Sequence, residues 1–219
     1  MRRDTLAWLG ARALTRRLGL PRAKSFRVQR SIPVPMRDGA VLLADHYAPR
    51  TRKPAGTLLM RGPYGRDGLP NRVYVGLYAG QGFHVVLQST RGTFGSEGAF
   101  EPGRHEVDDG ADTVKWLHEQ PWYTGEFATV GASYLGFTQL ALLVDQPADL
   151  TTSVITMAPH DFGHSVWSTG SFALGDFLGD GLVAGVGGVF PTGFVGGETF
   201  TVTIDGEEEP IAPWARGRV

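Results

Sequence analysis

One serine of this chain stands in a setting that favours nucleophilic chemistry. Ser133 lies in the segment Gly131–Gly136, which reads Gly-Ala-Ser-Tyr-Leu-Gly. A short apolar run ends just before this segment, and an apolar stretch with helical spacing follows it at once. A glycine-flanked serine between a strand and a helix is typical of a nucleophile elbow, a sharp turn with a strained serine backbone. The helix would aim backbone N–H groups at a negative charge that develops beside the serine.

The glycine spacing departs from the general elbow pattern, which is Gly-x-Ser-x-Gly. Leu135 stands two residues after the serine, where the general pattern has a glycine, and Gly136 comes one position later. This pattern alone leaves two interpretations of Ser133 open. The side chain is either a nucleophile or merely the N-cap of the following helix.

Hydrophobic periodicity predicts the elements that would position this serine. The predicted strands are 26–35, 40–47, 57–60, 83–88, 127–131 and 150–157, and the predicted helices are 71–79, 105–119 and 134–144. The first two strands flank Asp38-Gly39, which is a strong hairpin-turn signal. Strands and helices then alternate, which predicts a mostly parallel sheet with helices on both faces and antiparallel strands at one edge. This is the arrangement expected of an α/β-hydrolase fold.

Composition excludes several classes of function. Hydrophobic residues make up 42% of the 219 residues and charged residues 20%, which is ordinary for a globular domain. The net charge of −1 gives no indication of nucleic acid as a partner. The absence of cysteine excludes disulfides, thiolate catalysis and cysteine metal sites. We expect no integral membrane segment and, without a clear signal peptide, a cytoplasmic location.

The N-terminus is strongly basic and carries leucines near helical spacing. Nine arginines and lysines precede residue 31, against one acid, Asp4. The apolar positions of the predicted helix are Leu6, Leu9, Ala13, Leu14 and Leu18. Such a helix either lies on a membrane or carries a targeting signal, or it is an accessory surface helix before the domain. The lack of a long apolar segment favours the accessory helix.

Further motifs occur in the same order as in a known family. They are the hairpin segment Val34–Gly39, the Arg-Gly-Pro-Tyr-Gly segment 61–65, the glycine-rich segment 88–98, the acidic helix start 106–117 and the elbow itself. Together they resemble the cocaine-esterase/NonD hydrolases and the related Xaa-Pro dipeptidyl-peptidase group, which includes α-amino-acid ester hydrolases and glutaryl-cephalosporin acylases. In that group the elbow reads Gly-x-Ser-Tyr-x-Gly, which this chain matches. Ser89 is a departure, because the family usually has an aspartate there.

The resemblance covers about residues 30–165 and implies roles for three residues. Ser133 would attack the acyl carbon, while the backbone N–H of Tyr134 and the hydroxyl of Tyr64 would donate to the oxyanion. Without the resemblance, Tyr64 would be interpreted as an ordinary turn aromatic. Arg91 would be structural and hold its loop by hydrogen bonds.

No metal or other cofactor is implied. Three acids, Asp108, Asp109 and Asp112, lie near the start of one predicted helix. We interpret them as capping or solvated residues rather than a metal site, because acids are favoured near helix N-termini.

A serine nucleophile needs a histidine base and an orienting carboxylate. After Ser133 the chain has only His160 and His164, which follow directly on the last predicted strand of the sheet and come too early for a triad histidine. We therefore expect the N-terminal part of a longer protein with four regions. They are a basic N-terminal helix at 1–25, the first part of the hydrolase domain at 26–159, the start of a helical cap at 160–190 and an atypical tail at 191–219.

The expected function is a serine hydrolase that acts on acyl esters, amides or Xaa-Pro dipeptides through an acyl-enzyme. The partner would be a small-molecule substrate. His160 and Trp167 either line the acyl pocket or are ordinary cap residues. Two alternatives remain: an inactive truncated fragment, and a pseudoenzyme or binding module that keeps the fold.

Overall fold

A single mixed sheet of six strands organises the chain in the computed structural model, which describes residues 3–158, 201–204 and 207–210. The strands are β1 (Phe26–Pro35), β2 (Val41–Pro49), β3 (Gly56–Gly62), β4 (Phe83–Ser89), β5 (Phe127–Ala132) and β6 (Leu150–Thr156). The helices are α1 (Arg3–Arg17), α2 (Leu69–Gln81), α3 (Glu106–His118) and α4 (Tyr134–Leu142). A separate antiparallel hairpin joins β7 (Thr201–Ile204) to β8 (Glu207–Pro210).

The order of strands in the sheet is β1-β2-β4-β3-β5-β6. The strands β3, β4, β5 and β6 are paired in parallel, whereas β2 runs antiparallel to both β1 and β4. The β1–β2 turn closes with a hydrogen bond from the N–H of Met36 to the carbonyl of Ala40, 2.8 Å long. The predicted arrangement is confirmed, with the antiparallel hairpin at one edge and parallel strands beyond it.

Apolar side chains of the strands alternate between two cores, one on each face of the sheet. In β3, Leu58 and Met60 join a core under α2, while Leu59 joins the core under α3 and α4. This alternation follows from the two-residue period of a strand. The buried members of the larger core are Val34, Met36, Leu42, Ala44, Leu59, Val86, Val114, Trp116, Leu117, Phe127, Leu142 and Leu150. Helices therefore cover both faces, as predicted.

The ends of two helices differ from the sequence prediction. Helix α2 begins at Leu69, two residues before the predicted start, because Pro70 fits the first turn of a helix, where no backbone N–H is needed. Helix α4 ends at Leu142, and a short 3₁₀ turn, Leu143–Asp145, takes the place of its predicted last residues. None of the described helices is long and apolar enough to cross a membrane.

The N-terminal helix α1 packs on α2 through small residues rather than through its leucines. Ala11 and Thr15 are its buried residues, whereas Leu6 and Leu9 are each 44% exposed. The helices approach closely at Gly10, where an added Cβ would lie 2.8 Å from a methyl group of Val73. Small residues allow a closer approach of the two helices than leucines would. The hydroxyl of Thr15 can be buried because it donates to the carbonyl of Ala11, 2.7 Å away.

Two histidines are buried against each other between neighbouring strands. Nε2 of His46 on β2 lies 2.9 Å from Nδ1 of His84 on β4, and the ring of His46 stacks on Trp122 with centroids 3.7 Å apart. One ring donates and the other accepts, so the accepting ring must be neutral, and the two rings cannot both be protonated without losing this hydrogen bond. Burial is the larger cause that lowers the pKa of His46, the neighbouring His84 is the smaller one, and together they bring it to about 3. Burial also lowers the pKa of His84.

This histidine pair predicts a loss of stability in mild acid. Below the ordinary histidine pKa, the unfolded chain binds protons that the folded chain excludes, so the free energy of unfolding falls as the pH falls. For His46 alone we expect a loss of about 3 kcal/mol between pH 6.5 and pH 4. Urea unfolding across this range measures it. The variant with both His46→Phe and His84→Phe should lose much of the dependence, whereas the half-exposed His105→Gln should retain it. An equal dependence in all three proteins would contradict the prediction.

Candidate active site

A strained turn presents Ser133 between β5 and α4. Its backbone has φ 57° and ψ −125°, a region that residues other than glycine rarely adopt. The N–H of Ser133 donates to the carbonyl of Thr156 on the neighbouring strand, and its own carbonyl accepts from the N–H groups of Gly136 and Phe137. The side chain makes no capping hydrogen bond. Ser133 thus occupies the N-cap position of α4 without capping the helix through its side chain, and the residue is exposed at the surface of the turn.

Two glycines make room for Leu135 at the position where the general elbow pattern has a glycine. A Cβ added to Gly131 would lie 2.3 Å from the Cβ of Leu135, and one added to Gly62 would lie 2.4 Å from a methyl group of the same leucine. Gly136 serves a different contact, since its Cβ would lie 2.6 Å from that of Ala158. The shifted spacing thus has a steric reason. The leucine occupies the space beside the turn, and the bare backbones of β3 and β5 accept it.

The tyrosine of the loop after β3 reaches the serine from the neighbouring strand. The hydroxyl of Tyr64 donates to Oγ of Ser133 over 2.9 Å and accepts from the backbone N–H of Tyr134 over 3.2 Å. The side-chain amide of Asn71 holds the loop by donating to the carbonyls of Tyr64 and Gly65, each at 3.1 Å. The structure therefore brings together Tyr64, Ser133 and Tyr134, the three residues for which the sequence predicted roles.

The side chain of Tyr134 is held by a cluster of buried polar residues that the sequence did not reveal. Its hydroxyl donates to the carboxylate of Glu106 over 2.8 Å and accepts from the N–H of Gly103 over 3.0 Å. Glu106 forms an ion pair with Arg61 at 3.1 Å, and both side chains are almost completely buried. Nε of Arg61 also donates to the amide oxygen of Gln88. This chain of contacts links the elbow to β3, to β4 and to the start of α3.

The environment of Tyr134 keeps its hydroxyl protonated. Burial raises the pKa of this phenol well above its ordinary value, and the charge of Glu106 raises it further. A protonated phenol can donate to a carboxylate. The contact with Glu106 is therefore a fixed hydrogen bond that orients Tyr134 and, with it, the backbone N–H beside the serine.

Ion pairs hold the glycine-rich loop that follows β4. Arg91 donates to both carboxylate oxygens of Asp109, at 2.7 and 3.1 Å, and also pairs with Asp38 at 2.8 Å. The interpretation of Asp109 as a capping or solvated acid is wrong, because its side chain turns from α3 into this loop and is buried there. The other two acids of that helix, Asp108 and Asp112, pair with Arg37.

Ser89, the residue that departs from the family pattern, lies in a second buried ionic group. Its hydroxyl accepts a short hydrogen bond from the guanidinium of Arg66. The same guanidinium donates to the carboxylate of Asp45 over 3.2 Å, and Arg30 pairs with that carboxylate at 2.8 Å. The negative charge that balances Arg66 is thus supplied by β2 rather than by position 89.

The described residues do not supply a base to Ser133. Within 3–158, its Oγ has Tyr64 as hydrogen-bond partner and no histidine or carboxylate. No group of three or more histidines and acids that could hold a metal ion occurs in the described part of the chain. His160, His164 and Trp167, the candidates from the predicted cap, lie outside the described residues.

Sequence comparison relates the chain to enzymes of one family. Residues 38–188 match the sequence model of the X-Pro dipeptidyl-peptidases (S15 family). The chain is 33% identical over 169 residues to cocaine esterase from Rhodococcus sp. (strain MB1 Bresler), an alignment that covers 74% of this chain and 29% of that esterase. The chain thus spans less than a third of this curated relative.

Solved structures support the same fold. A CocE/NonD family hydrolase from Staphylococcus aureus superposes with a TM-score of 0.53 at 23% identity, over 58% of this chain and 27% of that one. The esterase Pf2001 from Pyrococcus furiosus superposes with a TM-score of 0.57 at 16% identity, over 75% of this chain and 62% of that one. The sheet described above is therefore the first part of an α/β-hydrolase fold.

Proposed function

Because the chain belongs to the X-Pro dipeptidyl-peptidase (S15) family, we propose that it forms the nucleophile-bearing part of a serine hydrolase of acyl esters or amides. One observation carries the proposal. Ser133 stands on a strained elbow, and its Oγ accepts a hydrogen bond from the hydroxyl of Tyr64. That hydroxyl in turn accepts a hydrogen bond from the backbone N–H of Tyr134. Two donors are thus placed beside the atom that would attack a carbonyl, as stabilisation of an oxyanion requires.

Before substrate binds, both donors already make hydrogen bonds to other groups of the site. The N–H of Tyr134 points to the oxygen of Tyr64, and the hydrogen of Tyr64 points to Ser133. When Oγ attacks the carbonyl carbon, the electron pair of the C=O bond moves to its oxygen. The hydroxyl of Tyr64 then rotates from Oγ toward this new anion. The N–H of Tyr134 is fixed by the backbone, so it donates to the anion where the anion takes the place of the Tyr64 oxygen.

The proton of Ser133 must leave during the attack, and a histidine oriented by a carboxylate normally accepts it. We propose that both groups come from outside the described residues. The leaving alcohol or amine takes the proton from that histidine, and Ser133 remains as an ester. Water then attacks this ester, which releases the acid and restores the serine hydroxyl.

We propose an acyl ester or amide, including an Xaa-Pro peptide, as the substrate class. The relative named above is a cocaine esterase, and the matching family sequences are dipeptidyl-peptidases. Both reactions pass through the same acyl-serine and the same oxyanion, so the residues of this part serve either. Esters make the simpler first test, because an alcohol leaves more readily than an amine.

A fluorophosphonate probe tests the proposed nucleophile directly, since it forms a stable bond to an activated serine. The 219-residue chain is incubated with the probe in the presence and absence of imidazole as an external base, and the modified peptide is located by mass spectrometry. We expect modification of Ser133, accelerated by imidazole and lost on unfolding in urea. The Ser133→Ala variant should remain unmodified. Equal labelling of that variant, or no labelling of Ser133 with imidazole present, would contradict the proposal.

A further inference from the structure

The basic N-terminal segment takes no part in the proposed chemistry, yet its charge is concentrated. The first 30 residues contain nine arginines and lysines and one acid, while the whole chain has a net charge of −1. The rest of the chain is therefore acidic overall. Such a separation of charge favours an oriented approach to a negatively charged partner.

Helix α1 leaves two of its leucines, Leu6 and Leu9, facing outward. Ala11 and Thr15 face α2, and the helical spacing places Leu6, Leu9 and Ala13 on the opposite side, where all three are exposed. The same spacing places basic residues along both edges of this apolar stripe. They are Arg12 and Arg16 on one edge and Arg17 on the other.

A cavity of about 430 Å³ lies along one edge of this stripe, between α1 and the turn that follows it. Its lining includes Arg12, Arg16 and Arg22, together with Leu20 and Thr15. The guanidinium of Arg12 lies 4.5 Å from the ring centroid of Trp8 and is held there by a cation–π contact.

The arginines of this cavity differ from the buried arginines around the sheet. Within the described residues, Arg12, Arg16 and Arg22 make no ion pair with an acid, whereas Arg61 and Arg91 each pair with a carboxylate. Guanidinium groups bind phosphate oxygens in paired hydrogen bonds. The cavity therefore has the chemistry of a phosphate site.

We propose that α1 and the turn 18–24 bind the surface of a membrane that contains anionic phospholipids. The three arginines of the cavity would bind lipid phosphates, while Leu6 and Leu9 enter the boundary between headgroups and acyl chains. The exposed leucines favour a membrane over a dissolved anion, because a dissolved phosphate would leave them in water. The contact of α1 with α2 fixes the orientation of the domain on the membrane.

Sedimentation of the 219-residue chain with lipid vesicles tests this proposal. Vesicles of phosphatidylcholine alone are compared with vesicles that also contain phosphatidylglycerol, at low and at physiological ionic strength. We expect binding to the anionic vesicles that weakens with salt. The variant with Arg12→Gln, Arg16→Gln and Arg22→Gln should bind about a hundredfold more weakly, from the contribution of each arginine near an anionic surface. Leu6→Ser with Leu9→Ser should weaken binding by about tenfold.

A matched control removes the same charge elsewhere. Arg50→Gln, Arg52→Gln and Lys53→Gln change three exposed basic residues of the turn between β2 and β3, and this variant should bind nearly as well as the parent. If both triple variants lost vesicle binding equally, the binding would depend on net charge rather than on this site, and the proposal would be overturned. Absence of vesicle binding would overturn it as well. A chain that binds inorganic phosphate but no vesicles would also overturn the proposal. So would a leucine variant that binds vesicles as the parent does and differs from it only in oligomeric state.

Discussion

Tyr64→Phe will slow the acylation of Ser133 by roughly 10²–10³-fold, the usual cost of removing one oxyanion donor. The hydroxyl of Tyr64 contacts both Oγ of Ser133 and the N–H of Tyr134. Phenylalanine keeps the ring and removes only this hydroxyl. The anion formed during attack would then have one donor in place of two, which raises the energy of the transition state more than that of the resting site.

The rate constant of fluorophosphonate labelling at Ser133, with imidazole at one fixed concentration, measures this effect. Tyr78→Phe is the matched control, because it removes a tyrosine hydroxyl on α2 that is bonded only to Tyr74 among the described residues. Tyr78→Phe should label at nearly the parent rate. If Tyr64→Phe also labels at the parent rate, Tyr64 is not an oxyanion donor and its contact with the serine is structural.

The sequence was sufficient to predict the sheet and the elbow, because both depend on local signals. The Asp38-Gly39 turn, the alternation of strands with helices and the glycines around Ser133 each occur within a few residues. They predicted the leading hairpin, the parallel strands and the turn. The predicted ends of α2 and α4 were less accurate, since helix ends depend on a few residues of each cap.

The contacts that were missed join residues far apart in the chain. Glu106 reads in the sequence as one more acid at a helix start, and its contact with Tyr134 depends on how α3 and α4 pack. The fit of Leu135 likewise depends on Gly62, a residue of another strand. The buried face of α1 was not predicted, because the steric fit of its small residues against α2 leaves no pattern in the hydrophobicity of the sequence. Only the tertiary structure contains this information.

Breaking the buried ion pair of Arg61 and Glu106 will cost about 3–5 kcal/mol of the free energy of unfolding. Both side chains are almost completely removed from water, with 3% and 4% of their surface exposed. Arg61→Met leaves the carboxylate of Glu106 buried without its cation, and Glu106→Leu leaves the guanidinium of Arg61 without its anion. An unpaired charge in such a place is far less stable than a paired one.

Urea unfolding of both single variants at neutral pH measures this cost. Arg37→Met is the matched control, because Arg37 also pairs with two acids but is 54% exposed. It should cost far less than either buried variant, because exposed ion pairs contribute little to stability. The double variant Arg61→Met with Glu106→Leu should recover part of the loss, since no unpaired charge remains. Similar losses in Arg37→Met and Arg61→Met would contradict the prediction.

The contact between Tyr64 and Ser133 has a consequence for the order of folding. The two residues are 69 positions apart, and their strands, β3 and β5, are neighbours in the sheet. By contrast, β1 and β2 form a local hairpin. Closing the longer loop loses more chain entropy, and non-local pairing is slow. A partly folded chain would therefore have its hairpin before the site exists, and labelling of Ser133 would report a step of folding later than the hairpin.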